Sequence, residues 1–155
     1  MRQLGVYCCL VLLVGCAKAK EQPAPDTTAA AAPAPPAPAP ISLADVAGKW
    51  SARVMPADKD TTLLSYDFVA TGDSSGWTFN FPNRKPVPMR IVAVAGDSIV
   101  GEAGPYESAL RKGVQVTTHS VLRLQDGKLV GTVVAHYAKS ADSVRYLRLE
   151  ATRAP

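Results

Sequence analysis

From Lys49 onward, apolar and polar residues alternate in short runs with a period of two. Trp50, Ala52 and Val54 share one face of the run 49–55. Leu64, Tyr66 and Phe68 do so in 62–70, and Trp77, Phe79 and Phe81 in 76–81. Further runs cover 88–95, 98–103, 114–125, 128–137 and 144–153, the last aligning Leu147, Leu149 and Ala151. A strand turns successive side chains to opposite sides, so this alternation predicts strands with one buried face. The reading is all-β.

Turn residues set the register. Asp126-Gly127 between two alternating runs predicts a type I′ hairpin, because both central residues need positive φ. Gly96-Asp97 is a weaker signal of the same kind. The segments Val94–Gly101 and Leu124–Gly131 echo each other, as repeated meander geometry would. The one helical candidate is Pro105–Lys112, with Pro at its start and Gly113 as a stop.

The connections alternate in length. Those at 56–61, 82–87, 104–113 and 138–143 are longer than those between them. In a meander, alternate connections share an end, so one end is tightly closed and the other loosely rimmed. This predicts an antiparallel up-and-down meander of about eight strands closing into a small barrel, with a long-loop mouth. The chain enters and leaves at the closed end.

Composition changes abruptly upstream. Lys18–Pro40 is almost entirely Ala and Pro, lacks any hydrophobic period and cannot bury a core. A polyproline II spacer of that length reaches roughly 70 Å. Before it, Arg2 and the apolar run Leu4–Val14 have the layout of an export signal, too short to span a bilayer. Leu13-Val14-Gly15-Cys16 resembles the lipobox of bacterial lipoproteins. That resemblance implies cleavage before Cys16 and acylation of its thiol with palmitate-type chains. It also implies attachment to the cell envelope through the membrane; Ala17, in place of a retention Asp, directs the expectation to the outer membrane. An ordinary cleaved signal ending at Ala17-Lys18-Ala19 is the alternative. The expected organisation is therefore signal peptide 1–15, lipidated cysteine and linker 16–41, and barrel domain 42–155. Cys8, Cys9 and Cys16 are the only cysteines, so the folded part has neither disulfide nor thiol chemistry.

Gly48-Lys49-Trp50 resembles the Gly-x-Trp signature opening the first strand of lipocalins and related calycins. The resemblance implies a barrel base closed by an arginine of the last strand stacked over that tryptophan. Arg153, in phase with Leu147, Leu149 and Ala151, stands where it would cover Trp50.

Charge removes some functions. The domain carries 14 Lys/Arg against 11 Asp/Glu, a mild excess without basic–aromatic interleaving, so no nucleic-acid partner is expected. His119 and His136 become diagonal neighbours on one sheet face when the Asp126-Gly127 hairpin is paired. Val116, Leu122, Leu124, Leu129, Val133 and Tyr137 claim the opposite face for the core, which places both histidines outside. No third metal ligand, nucleophile elbow, phosphate loop or carboxylate pair accompanies them. The sequence points to a non-enzyme without metal or cofactor. At the mouth, Asn83-Arg84-Lys85 and Tyr106, Glu107, Arg111 and Lys112 form a polar rim. Tyr66, Trp77, Phe79 and Phe81 are the expected lining beneath it. Together with Arg84, Tyr106 and Arg111 they form the candidate site for a small apolar or amphipathic ligand. The alternative is a non-catalytic envelope module that docks a protein of unknown identity.

Overall fold

A computed structural model describes residues 39–139 and 142–155. The expected signal, Cys16 and most of the linker lie outside the described residues. One short helix, α1 (Leu43–Val46), precedes eight strands: β1 (Gly48–Pro56), β2 (Leu64–Ala70), β3 (Thr78–Asn80), β4 (Val87–Ala95), β5 (Ser98–Glu107), β6 (Gln115–Gln125), β7 (Lys128–Tyr137) and β8 (Val144–Arg153). Each strand pairs antiparallel with the next, and β8 returns to β1 to close a barrel. The all-β up-and-down barrel read from the alternation is the fold.

The hairpins hold the register as their chemistry requires. Asp126 and Gly127 take φ of 49° and 74°, and the β6–β7 ladder runs from Gln125↔Lys128 to Val116↔Tyr137 without a break. Gly96 alone takes positive φ at the other tight hairpin, which suits a type II′ turn rather than I′.

Three local expectations are corrected. β3 has three residues, not six, because Thr71 and Ser75 fold the preceding loop on itself around Asp73. β5 continues to Glu107, and no helix forms over 105–112. Tyr106 and Glu107 pair with Val116 and Gln115, so too few residues remain for a helix. Ser108 turns them instead, its hydroxyl accepting from the Leu110 and Arg111 amides at 3.1 Å each. Conversely, α1 was not expected. Ser42 caps it by accepting from the Asp45 amide, while the Asp45 carboxylate accepts from the Ser42 amide at 2.8 Å.

α1 plugs the base, with Val46 fully buried. The Trp50 indole N–H donates to the Val46 carbonyl at 2.8 Å. Arg153 lies 4.6 Å over the Trp50 ring and donates to the carbonyls of Ala47 and Asp45 at 2.8 and 2.7 Å. The last carbonyls of a helix lack intrahelical donors, and these two side chains supply them. Gly48 serves the same corner: at φ +134°, a Cβ there would stand 3.0 Å from Arg153 Nη1.

Aromatic rings fill the barrel from base to mouth. Trp50 stacks on Phe68 at 6.2 Å, and Phe68 on Trp77 at 6.3 Å. Phe68 and Tyr66 both meet Phe79 edge-on. Tyr66 also meets Phe81 at 4.9 Å, and Phe81 stacks on Tyr106 at 5.9 Å. Each ring buries a large apolar area, so this column is the core and leaves little empty space.

Candidate functional site

The barrel wall opens where its ladder runs out of donors. β4 and β5 pair from Ala95↔Ser98 up to Met89↔Ala103. Just beyond, Pro88 and Pro105 bring no N–H to the ladder. β4 stays with β3 through Thr78↔Pro88 and Phe79↔Val87. β5 shifts register after Ala103 and resumes with β6 at Tyr106↔Val116. Gly104 permits that shift: it takes φ +121°, and a Cβ there would stand 2.6 Å from the Val116 carbonyl oxygen.

The parted strands and the β3–β4 loop enclose a half-open cleft of about 590 Å³. Phe81 and Tyr106 form its apolar floor; Val87, Pro88 and Pro105 flank them, and Arg84, Lys85 and Glu107 carry its charge. Arg84 spans the opening, donating to the Glu107 backbone carbonyl at 2.8 Å. The Glu107 carboxylate is turned to the Gly113 amide, from which it accepts at 3.1 Å. Two cations and one carboxylate thus line the cleft beside a stacked ring pair. Its volume lies within the range of roughly 300–1,000 Å³ usual for small-molecule sites.

A second, smaller cavity, itself partly open, is lined from the barrel interior, shares Phe81 and Tyr106 with the cleft and measures about 40 Å³. It holds a few waters at most, at roughly 10–15 Å³ each. Tyr66, Thr118, Ser120 and Tyr137 bring hydroxyls to it among apolar neighbours. Burial, and less strongly the neighbouring Tyr106, push the Tyr66 phenol well above its usual range. Burial also raises Tyr106, with Thr118 opposing the shift. The Thr118 hydroxyl faces Tyr106 without reaching hydrogen-bond geometry, and has no partner.

Of the seven expected ligand-site residues, the fold brings Phe81, Arg84 and Tyr106 together at the cleft. Tyr66 and Phe79 line the inner cavity. Trp77 lines neither: it sits towards the base, stacked on Phe68, its N–H donating to the Asp73 carbonyl at 2.9 Å. Arg111 lies 4.1 Å over the Tyr137 ring and donates to the Asp142 carbonyl at 3.0 Å, away from the cleft lining. The sequence reading missed Pro86, Val87, Pro88, Gly104 and Pro105. The signal for them is Pro88 and Pro105 on two strands that the meander makes neighbours, but Pro105 followed by polar residues also reads as a helix start.

The histidines point outward. His119 is half-exposed with Nδ1 3.5 Å from a Glu102 oxygen, and Glu102 also binds Arg90 at 2.6 Å. His136 is exposed. Among the described residues no three metal-ligating side chains cluster, and no helix is long and apolar enough to cross a membrane.

Fold and site thus define a small antiparallel barrel with a cationic, aromatic-floored cleft at its long-loop end. No family model matches the chain, and neither a curated protein nor a solved structure matches it.

Proposed function

We propose that this chain is a lipid-anchored cell-envelope protein, held through Cys16, whose barrel binds a small amphipathic anion at its long-loop end. The cleft carries the reading: Arg84 and Lys85 line it together with the stacked rings of Phe81 and Tyr106. The ligand sits in this wall opening, since the barrel interior is occupied by its own aromatic column. The test is titration of the full chain with anilinonaphthalene sulfonate, an anion on an apolar aromatic body. Saturable fluorescence enhancement is expected, weakened about tenfold or more in Arg84→Glu/Lys85→Glu. Absence of enhancement, or equal affinity in the charge-reversed protein, sinks the reading.

A second reading, a protein-docking module, is favoured by the outer wall. Tyr146 is 67% exposed and Val144 40%, and they pair across β7 with Val134 and His136. Tyrosine is enriched where proteins meet. If Tyr146→Ser rather than the cleft variants abolishes co-purification of an envelope protein, this reading replaces the first.

A further inference from the structure

The open cleft and the inner cavity share two lining residues, Phe81 and Tyr106. Their rings stack 5.9 Å apart at 27°. A charged, half-open cleft and a small chamber lined by hydroxyl-bearing residues therefore meet at a single aromatic pair. Among the described residues lining that chamber none is ionisable to a cation or carboxylate. Its polarity is neutral, supplied by phenols, serines and Thr118.

Thr118 makes the chamber more than a packing gap. The residue is 6% exposed, and its buried hydroxyl has no hydrogen-bond partner. A buried hydroxyl without a partner is unfavourable. Ser120, 2% exposed, lines the same space. An ion entering here would lose its hydration without meeting a countercharge among the lining residues. A neutral hydroxyl or carbonyl oxygen would meet donors and acceptors.

We infer that the chamber is a second subsite, which takes a neutral hydrogen-bonding end of the ligand after Tyr106 is displaced from Phe81. This rests on the cleft reading and narrows it. The ligand class becomes a bipolar small molecule: an anionic group on Arg84 and Lys85, an apolar body in the cleft, and a hydroxyl or carbonyl directed at Thr118. The register shift between Ala103 and Tyr106 lies at the foot of the displaced ring. Beside it, β5 has left the ladder it makes with β4.

The test uses three pairs of probes of increasing length. Benzoate, phenylacetate and phenylpropionate are compared with their para-hydroxy forms by calorimetric titration of the full chain. In at least one pair the hydroxyl is expected to tighten binding about tenfold or more. Thr118→Val, nearly isosteric, should remove that advantage within the pair; Thr118→Ser should restore it. Thermal unfolding of both variants establishes that the barrel is intact. Equal affinity within every pair overturns the subsite and leaves the cleft standing. So does an advantage that survives Thr118→Val. Failure of every probe to bind overturns the cleft and the subsite together.

Discussion

The Arg153 guanidinium lies 4.6 Å over the Trp50 indole, and both side chains end on the same short helix. Trp50 donates to Val46; Arg153 donates to Asp45 and Ala47. First strand, last strand and plug thus meet in one corner. Arg153→Ala removes two charge-assisted hydrogen bonds and the cation–π contact, and should cost about 1–2 kcal/mol. Arg153→Lys should recover only part, because an ammonium lacks the planar fork that reaches both carbonyls. Urea unfolding checks this; an unchanged midpoint for Arg153→Ala would remove the corner from the account of stability.

The two echoing hairpins end in glycines with different neighbours. A Cβ on Gly131 would stand 2.1 Å from the Val121 carbonyl oxygen, whereas on Gly101 it would meet the Met89 methyl at 1.9 Å. Backbone cannot yield as the end of a flexible side chain can. Gly131→Ala should cost about 3 kcal/mol and Gly101→Ala about 1 kcal/mol, within the usual range for overpacking. In a Met89→Ala background the Gly101→Ala cost should vanish, while that of Gly131→Ala should persist. Denaturant midpoints of the wild type, the three single variants and the two double variants decide it.

Acid should weaken the base before the wall. Hydrogen bonds from Ser42 hold the Asp45 carboxyl below its ordinary range, those from Ser75 do so for Asp73, and at Asp97 Ser98 acts first and Arg123 after it. A depressed carboxyl contributes stability above its unfolded pKa, about 3.9, and loses it as pH falls further. Unfolding midpoints should therefore drop below about pH 4. The drop should be smaller in the triple Asp→Asn variant, which starts less stable. Parallel curves for the two proteins would contradict this assignment.

Alkali acts through the opposite sign. Burial raises Tyr66, so its stabilisation is complete below the unfolded phenol pKa of about 10 and declines above it, as the unfolded chain ionises first. Phenolate absorbance from Tyr66 should appear together with loss of near-ultraviolet circular dichroism. Tyr66→Phe should move unfolding to higher pH. A Tyr66 phenolate signal that precedes unfolding would show that water reaches the inner cavity in the native barrel.

The proposed anchor predicts a covalent product. Cys16→Ser should abolish incorporation of labelled palmitate and release the chain from the membrane fraction. Mass spectrometry of the wild-type chain should find its mature N-terminus at an acylated Cys16. A mature N-terminus at Lys20 would instead identify an ordinary signal cleaved after Ala19.

Much of this fold was legible because strands advertise themselves locally. Alternation at Trp50, Ala52 and Val54, or at Leu147, Leu149 and Ala151, names the buried face whatever the partner strand. Asp126-Gly127 carries the register of its whole hairpin. Errors arose where a local signal had two meanings. Pro105 followed by polar residues reads as a helix start, but its strand continues because Tyr106 and Glu107 find partners in β6. Ser42 and Asp45 form a capping box for a helix of only four residues, too short a signal to stand out. The candidate ligand site was half legible. Phe81 is legible from the alternation over 76–81, and Arg84 and Tyr106 from their loops, but that Trp77 stacks towards the base and Arg111 lies over Tyr137 depends on distances across the barrel.

By itself the sequence determined the class of structure, the strand faces, the tight hairpins and the outward placement of His119 and His136, since period and turn chemistry act over a few residues. Only tertiary structure decided whether the barrel has room inside. That turned on Trp50, Phe68, Phe79, Tyr66, Phe81 and Tyr106 packing ring against ring, a property of their mutual positions and not of any one strand. It also decided where the wall opens, because Pro88 and Pro105 break a ladder only once β4 and β5 lie side by side.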